Sequence, residues 1–304
     1  MKTKQIRNSL LLLVTAFIWG SAFVAQSVGM DYVEPFTFTA VRSVIGGLVL
    51  IPCIFLLRKL KAREEGTISD EPRPVVTKIE LIGGICCGTA LFAASNAQQV
   101  GIVYTTVGKG GFITALYVVI VPIMGLFLKK KVPKIIWFCV ALSVVGLYML
   151  CMTGEEFVLA YGDLLILICA VLFSIHIMII DYFSPKGDGV VISCIQFFTC
   201  GILSAVVMLL TESPGTANIL AAWLPILYAG VLSSGVAYTL QVVAQKDVNP
   251  TVASLILCLE SVVSALTGWV ILHETLTTQE LLGCGLMFVA IVLAQVPMPE
   301  RKKV

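Results

Sequence analysis

Two charged residues stand alone inside long apolar stretches, and any polar chemistry in this chain would centre on them. Glu260 lies near the middle of Thr251–Leu272, a run of 22 residues with no other charge. A carboxylate at the centre of a bilayer-crossing helix costs about 2.5–3.5 kcal/mol on insertion scales, so it turns to a protein interior or a wet cavity. It is either a carboxylate in a transport pathway or a protonated, hydrogen-bonded packing residue. At helical spacing it shares a face with Ile256, Leu257, Val263 and Ser264, and Ser261, Ala265 and Gly268 form a small-residue stripe beside it that admits another helix closely. Arg42, about two turns into Phe36–Leu57, shares a face with Thr39 and Gly46. It holds either a substrate anion through paired hydrogen bonds or an acid such as Glu34. Lys109 sits in TTVGKGGF, where glycines allow close approach and its stem can snorkel to the outer interface. His176 is five residues from Asp181 and therefore off its face; it is a satisfied interior histidine or a member of the same site.

Uncharged polar residues recur with helical period. Ser234, Tyr238, Gln241 and Gln245 are spaced four, three and four apart, and Thr89, Asn96 and Gln99 share another helix. Trp19 and Gln26 are seven apart with Phe23 between them, and Ser193, Gln196 and Cys200 form a similar set. Such stripes either line a cavity with amides and hydroxyls, with Trp19 and Tyr238 offering ring faces, or bridge helices at about 0.6 kcal/mol per bond.

The elements that position these residues follow from composition. Of 304 residues, 58% are hydrophobic and 12% charged, against about 25% charged in soluble domains. Such a chain cannot cover a soluble surface. Hydropathy marks ten spans at 10–28, 36–57, 81–100, 104–128, 135–152, 161–183, 190–210, 222–245, 251–272 and 278–296. The longest connection, Arg58 to Glu80, is charged and contains Pro72 and Pro74, which reads as a solvated linker. The ten cysteines fall almost wholly in apolar runs and read as packing residues without disulfides or a metal pair. Lys2, Lys4 and Arg7 before an apolar stretch resemble a signal peptide, but the stretch is long for one and a retained helix is expected.

Charge orients the spans. Apart from Arg42 and Lys109, all Lys and Arg fall in a terminus or loops of one side, whereas the opposite loops hold Asp31, Glu34, Glu155, Glu156 and Glu212. The positive-inside rule then puts both termini in the cytoplasm. A miscounted span would scramble that separation. The net charge of +2 gives no reason to expect nucleic acid, and no cofactor or metal is expected.

The second half is weakly similar to the first. At a shift of 154, AFIWGSAFV from Ala16 overlies AVLFSIHIM from Ala170, Arg42 overlies Gln196 and Gly47 overlies Gly201; at 143, Tyr117 overlies Glu260. Five spans per half is an odd number, so the halves insert in opposite senses, as in secondary transporters with a midplane site at the repeat interface. The expected units are 1–155, with linker 58–80, and 156–304.

FIWGSAF, FTFTAVRSVIGGLVL, YTTVGKGGFITALYVVIVPIMGLFLKKK and LESVVSALTGWVILHETLT resemble the EamA-type branch of the drug/metabolite transporter superfamily, over roughly Asn8–Val296. The resemblance implies an all-α integral membrane protein, ten transmembrane helices in two inverted five-helix repeats around a central cavity, with the fifth and tenth helices peripheral. It implies transport of small organic solutes, often export of amino acids or related metabolites. Ser261 stands where the family often has Pro, which predicts a straighter ninth helix. Lys129–Lys131 replaces the family's Gly-Glu ending in the first half.

The expectation is an alternating-access transporter of the cytoplasmic membrane, not an enzyme, with a small-molecule substrate, the lipid bilayer and a homodimer left open as partners. Its candidate substrate-binding residues are Trp19, Arg42, Asn96, Lys109, Tyr117, His176, Gln196, Tyr238, Gln241 and Glu260, with Glu260 the candidate proton carrier. No GxxxxGK[ST] pattern points to an ATP-driven pump. The alternatives are a membrane enzyme acting on lipids, which would want a cluster of His, Asp or Glu at a membrane face, and a receptor or scaffold, which would want a large soluble loop.

Overall fold

Lipid requires the backbone to satisfy its own polar groups, and every regular element among the described residues is helical. The computed structural model describes residues 2–64, 76–104, 107–129, 132–151, 161–271 and 277–295. The first half comprises α1 (Lys2–Met30), α2 (Pro35–Glu64), α3 (Lys78–Val103), α4 (Val107–Ala115), α5 (Tyr117–Phe127) and α6 (Lys134–Cys151). The second comprises α7 (Tyr161–Phe183), α8 (Gly189–Thr211), the short α9 (Thr216–Ala221), α10 (Trp223–Leu227), a π-helical segment (Tyr228–Tyr238), α11 (Thr239–Gln245), α12 (Pro250–Leu257), α13 (Glu260–Ile271) and α14 (Thr278–Gln295). Eight helical runs among the described residues are long and apolar enough to cross a membrane. The described apolar parts of α6 and α14, Lys134–Met149 and Thr278–Ala294, are shorter. Large apolar side chains such as Phe17, Phe55, Phe138 and Leu210 face outward, as a lipid-facing surface requires. The chain is an all-helical, multi-pass membrane protein.

The linker expected at 58–80 begins later than its charges suggest. Leu60 to Glu64 are strong helix formers and carry α2 to Glu64, while Lys78 opens α3. A capping box starts α3: the Glu80 amide donates to Thr77 Oγ1 and the Thr77 amide to Glu80 Oε2. The other oxygen of Glu80 accepts from the Asp188 amide at the cap of α8, 2.9 Å away. The connection after α8 does the same for α2. There Glu212 accepts from the amides of Phe36 and Thr37 at 2.8 and 2.7 Å. Each half thus seats a carboxylate on the N-terminus of the other half's second helix, where orphan N–H groups and the helix dipole favour it.

Helix boundaries repeat at the two shifts found in the sequence. Pro35 and Gly189, which open α2 and α8, are 154 apart; Val107 and Pro250, opening α4 and α12, and Tyr117 and Glu260, opening α5 and α13, are 143 apart. Packing is reciprocal as well. The first helix, α1, packs on α13 and the π segment, and its counterpart α7 packs on α4, α5 and α3; α2 pairs with α8, and α6 with α14. Two glycines permit close approach to the backbone of another helix. A Cβ added to Gly20 of α1 would lie 2.5 Å from the Glu260 carbonyl oxygen and from Val263 Cβ, and one on Gly88 of α3 would lie 2.6 Å from the Gln196 carbonyl oxygen.

Candidate functional site

The helical runs α4–α5 and α12–α13, predicted as the fourth and ninth spans, are each interrupted in mid-course. In a continuous α-helix each N–H reaches four residues back, but Leu116 donates to the Ile113 carbonyl and Leu259 to the Ile256 carbonyl, three back, both at 3.2 Å. Leu116 and Leu259 are again 143 apart. Tyr117 and Glu260 follow directly, each the first residue of a new helix, buried at 3% and 6% exposure. The two meet: the Tyr117 hydroxyl donates to Glu260 Oε1 at 2.9 Å. Interruptions at repeat-related positions of membrane-crossing helices mark binding sites in secondary transporters.

The Tyr117–Glu260 pair forms one wall of a narrow cavity of about 40 Å³ between the halves. An aromatic cluster forms another wall. The Tyr238 ring lies 4.4 Å from that of Trp19, 5.5 Å from that of Phe197 and 6.0 Å from that of His176. Two polar pairs border the cavity, one from each half. Arg42 Nη1 donates to Gln26 Oε1 at 3.3 Å, joining α2 to α1; His176 Nε2 lies 3.1 Å from Gln196 Oε1, joining α7 to α8. Arg42 also stacks over Phe38, with 5.7 Å from its guanidinium carbon to the ring centre.

A model of the EamA-like transporter family matches residues 7–152 and again residues 160–295. The chain belongs to that family. It is 30% identical over 292 residues to an uncharacterized transporter of Archaeoglobus fulgidus, covering 95% of this chain and 86% of that one. To the uncharacterized inner membrane transporter YedA of Escherichia coli K12 it is 24% identical, with 93% and 88% covered, and to the uncharacterized transporter YoaV of Bacillus subtilis 25%, with 98% and 100% covered. A solved crystal structure superposes with a TM-score of 0.74 at 19% identity, covering 95% of this chain and 96% of that chain, which shows a shared fold. The protein is therefore a membrane transporter.

In this EamA-like transporter, seven of the ten candidate residues read from the sequence line the cavity: Trp19, Arg42, Tyr117, His176, Tyr238, Gln241 and Glu260. Two do not. Asn96 donates to Ser204 Oγ at 2.9 Å and to the Phe92 carbonyl, so it bridges α3 to α8. Gln196 stands behind His176 and reaches the cavity through it. The backbone of Lys109 belongs to α4, and its side chain lies outside the described residues.

The Arg42–Glu34 pair offered as one reading of Arg42 does not form; Glu34 instead accepts from the Ser213 amide at 3.4 Å. Nor is the ninth span straight. Its break precedes Ser261, whose N–H donates to the Cys258 carbonyl at 3.2 Å, a bond that Pro at this position cannot make.

Sequence reasoning missed Gln98, Thr114, Phe173, Ile177 and Ser233 at the cavity wall, whereas Leu257 lies there as its shared face with Glu260 predicted. Gln98 donates to Thr114 Oγ1 at 3.3 Å, linking α3 to α4. Ser233 displaces Ser234 for a clear reason. Residues 228–238 are wound as a π-helix, with contacts five apart rather than four, so Ser233 aligns with Tyr238. Ser234 instead packs its Cβ against Gly46 of α2. The other end of the same stripe, Gln245, donates to the Ile177 carbonyl at 3.4 Å.

Proposed function

We propose that the protein is a secondary transporter of ten spans, five in each of two oppositely inserted halves, that moves small organic solutes by alternating access. The observation that carries this reading is the Tyr117–Glu260 hydrogen bond, which joins the repeat-equivalent ends of two interrupted helices across a cavity between the halves. Matching helix boundaries at shifts of 154 and 143 support the two-half division near residue 155, and the one-sided placement of Lys and Arg supports cytoplasmic termini in the cytoplasmic membrane. Amides, rings and one group of each charge around the cavity suit amino acids or related metabolites, and export is the direction that the family resemblance implies.

Alternating access needs an element that can occupy two arrangements, and the two interrupted spans supply candidate hinges. Glu260 is the proposed proton carrier. It is held by a neutral hydroxyl and faces the cavity, so it can exchange its proton with whichever side the cavity meets. Proteoliposomes loaded with an amino-acid mixture test this. A proton gradient drives flux in the wild type, and Glu260→Gln reduces that flux at least tenfold while leaving gradient-free exchange measurable. Undiminished proton-driven flux in the variant removes Glu260 from coupling.

A further inference from the structure

Arg42 is 5% exposed, and among the described residues its guanidinium makes one hydrogen bond, to the neutral oxygen of Gln26 at 3.3 Å. Five N–H donors are available on that group, and Nε is buried without any acceptor. No described carboxylate pairs with it. Two described acids of the outer loops are engaged elsewhere: Glu34 at the Ser213 amide, and Glu212 at the amides of Phe36 and Thr37. Glu260, on the same cavity, is occupied by Tyr117.

A buried cation without a counter-charge is among the costliest features a fold can carry, and this one lines the cavity. Other unsatisfied atoms accompany it. Trp19 Nε1 is a buried donor without an acceptor, and Gln241 Oε1 a buried acceptor without a donor, both belonging to residues that line the same cavity. The cavity therefore presents surplus donors, one of them charged, and one surplus acceptor.

We propose that Arg42 is the docking point for the anionic end of the substrate, so that the solute must carry a carboxylate, with an ammonium or hydroxyl donor available to Gln241. The proposal rests on the transporter reading and narrows it from small organic solutes to carboxylate-bearing ones. A planar guanidinium offers a carboxylate two parallel hydrogen bonds, which a lysine ammonium cannot reproduce. The bond to Gln26 and the Phe38 ring hold the group in place without neutralising it.

The test is a thermal-shift screen of the full-length protein in detergent. The probes are the twenty common amino acids, their C-terminal amides, and short mono- and dicarboxylates from acetate to glutarate. At least one acid raises the melting temperature by several degrees at millimolar concentration, and its amide does not. Arg42→Lys weakens that acid at least tenfold, and Arg42→Gln abolishes the shift. Without ligand, Arg42→Gln melts at or above the wild-type temperature, because it removes an uncompensated buried charge; a purely structural arginine would make it melt lower.

Amides that bind as well as acids, no acid that binds, a retained shift in Arg42→Gln, or a lower ligand-free melting point would each overturn the proposal. Counterflow in proteoliposomes separates the two levels. Acid-selective binding without flux sinks the transporter reading and leaves the Arg42 site standing. Flux of amides or cations that is indifferent to Arg42→Gln does the reverse.

Discussion

Tyr117 and Glu260 are a hydroxyl and a carboxyl 143 positions apart that share one 2.9 Å hydrogen bond in a buried site. A hydrogen bond to a group able to carry charge contributes about 1.5–3 kcal/mol, which makes the pair a single functional unit. Tyr117→Phe removes the donor and keeps the ring, and is expected to lower proton-driven flux in proteoliposomes about tenfold. Combined with Glu260→Gln it should cost nothing more than Glu260→Gln alone, since coupled residues are not additive; multiplicative losses would show that the two act separately. Glu260 was legible in the sequence because a lone charge in 22 apolar residues must turn inward. Its partner was legible only as a position in a weak repeat. Asn96 shows the opposite case, for an amide on the right helix has the same helical signature whether it meets a cavity or, as here, Ser204.

Helix interruptions and helix winding decided which side chains reach the cavity. Repeated crossing of a membrane was readable from hydropathy, because lipid demands long apolar helices, but a three-back hydrogen bond at Leu116 and Leu259 has no hydropathy signature. Neither does the π winding that exchanges Ser234 for Ser233. Packing at the second break is tight, and two glycines test it. Gly20→Ala would place its Cβ 2.5 Å from the Glu260 carbonyl, while Gly111 in α4 has nothing within 4 Å of an added Cβ. Gly20→Ala is therefore expected to lower stability by about 1–3 kcal/mol through overpacking. Gly111→Ala should be neutral or gain up to about 1 kcal/mol of helix propensity. Thermal melting of both variants in detergent checks the contrast, and equal melting points would mean that α1 and α13 are not in contact at this glycine.

The whole molecule is two halves whose principal contacts run between them rather than within them: α2 on α8, α1 on α13, α3 on α7, α6 on α14. The proposed opposite insertion makes a topological prediction. In a cysteine-free background, Lys186→Cys should react with a membrane-impermeant maleimide only after permeabilisation, and Ser213→Cys in intact cells; the reverse pattern would invert the orientation. The sequence alone determined that the chain lives in lipid, roughly where it crosses, and that Glu260 and Arg42 must turn inward, because the cost of a charge in hydrocarbon belongs to each residue and its immediate neighbours. Only the tertiary structure decided that Glu260 meets Tyr117, that Arg42 is left without an acid, and that Ser233 rather than Ser234 reaches the cavity. Those outcomes depend on how helices from two distant halves dock and wind, and no local pattern of residues encodes that.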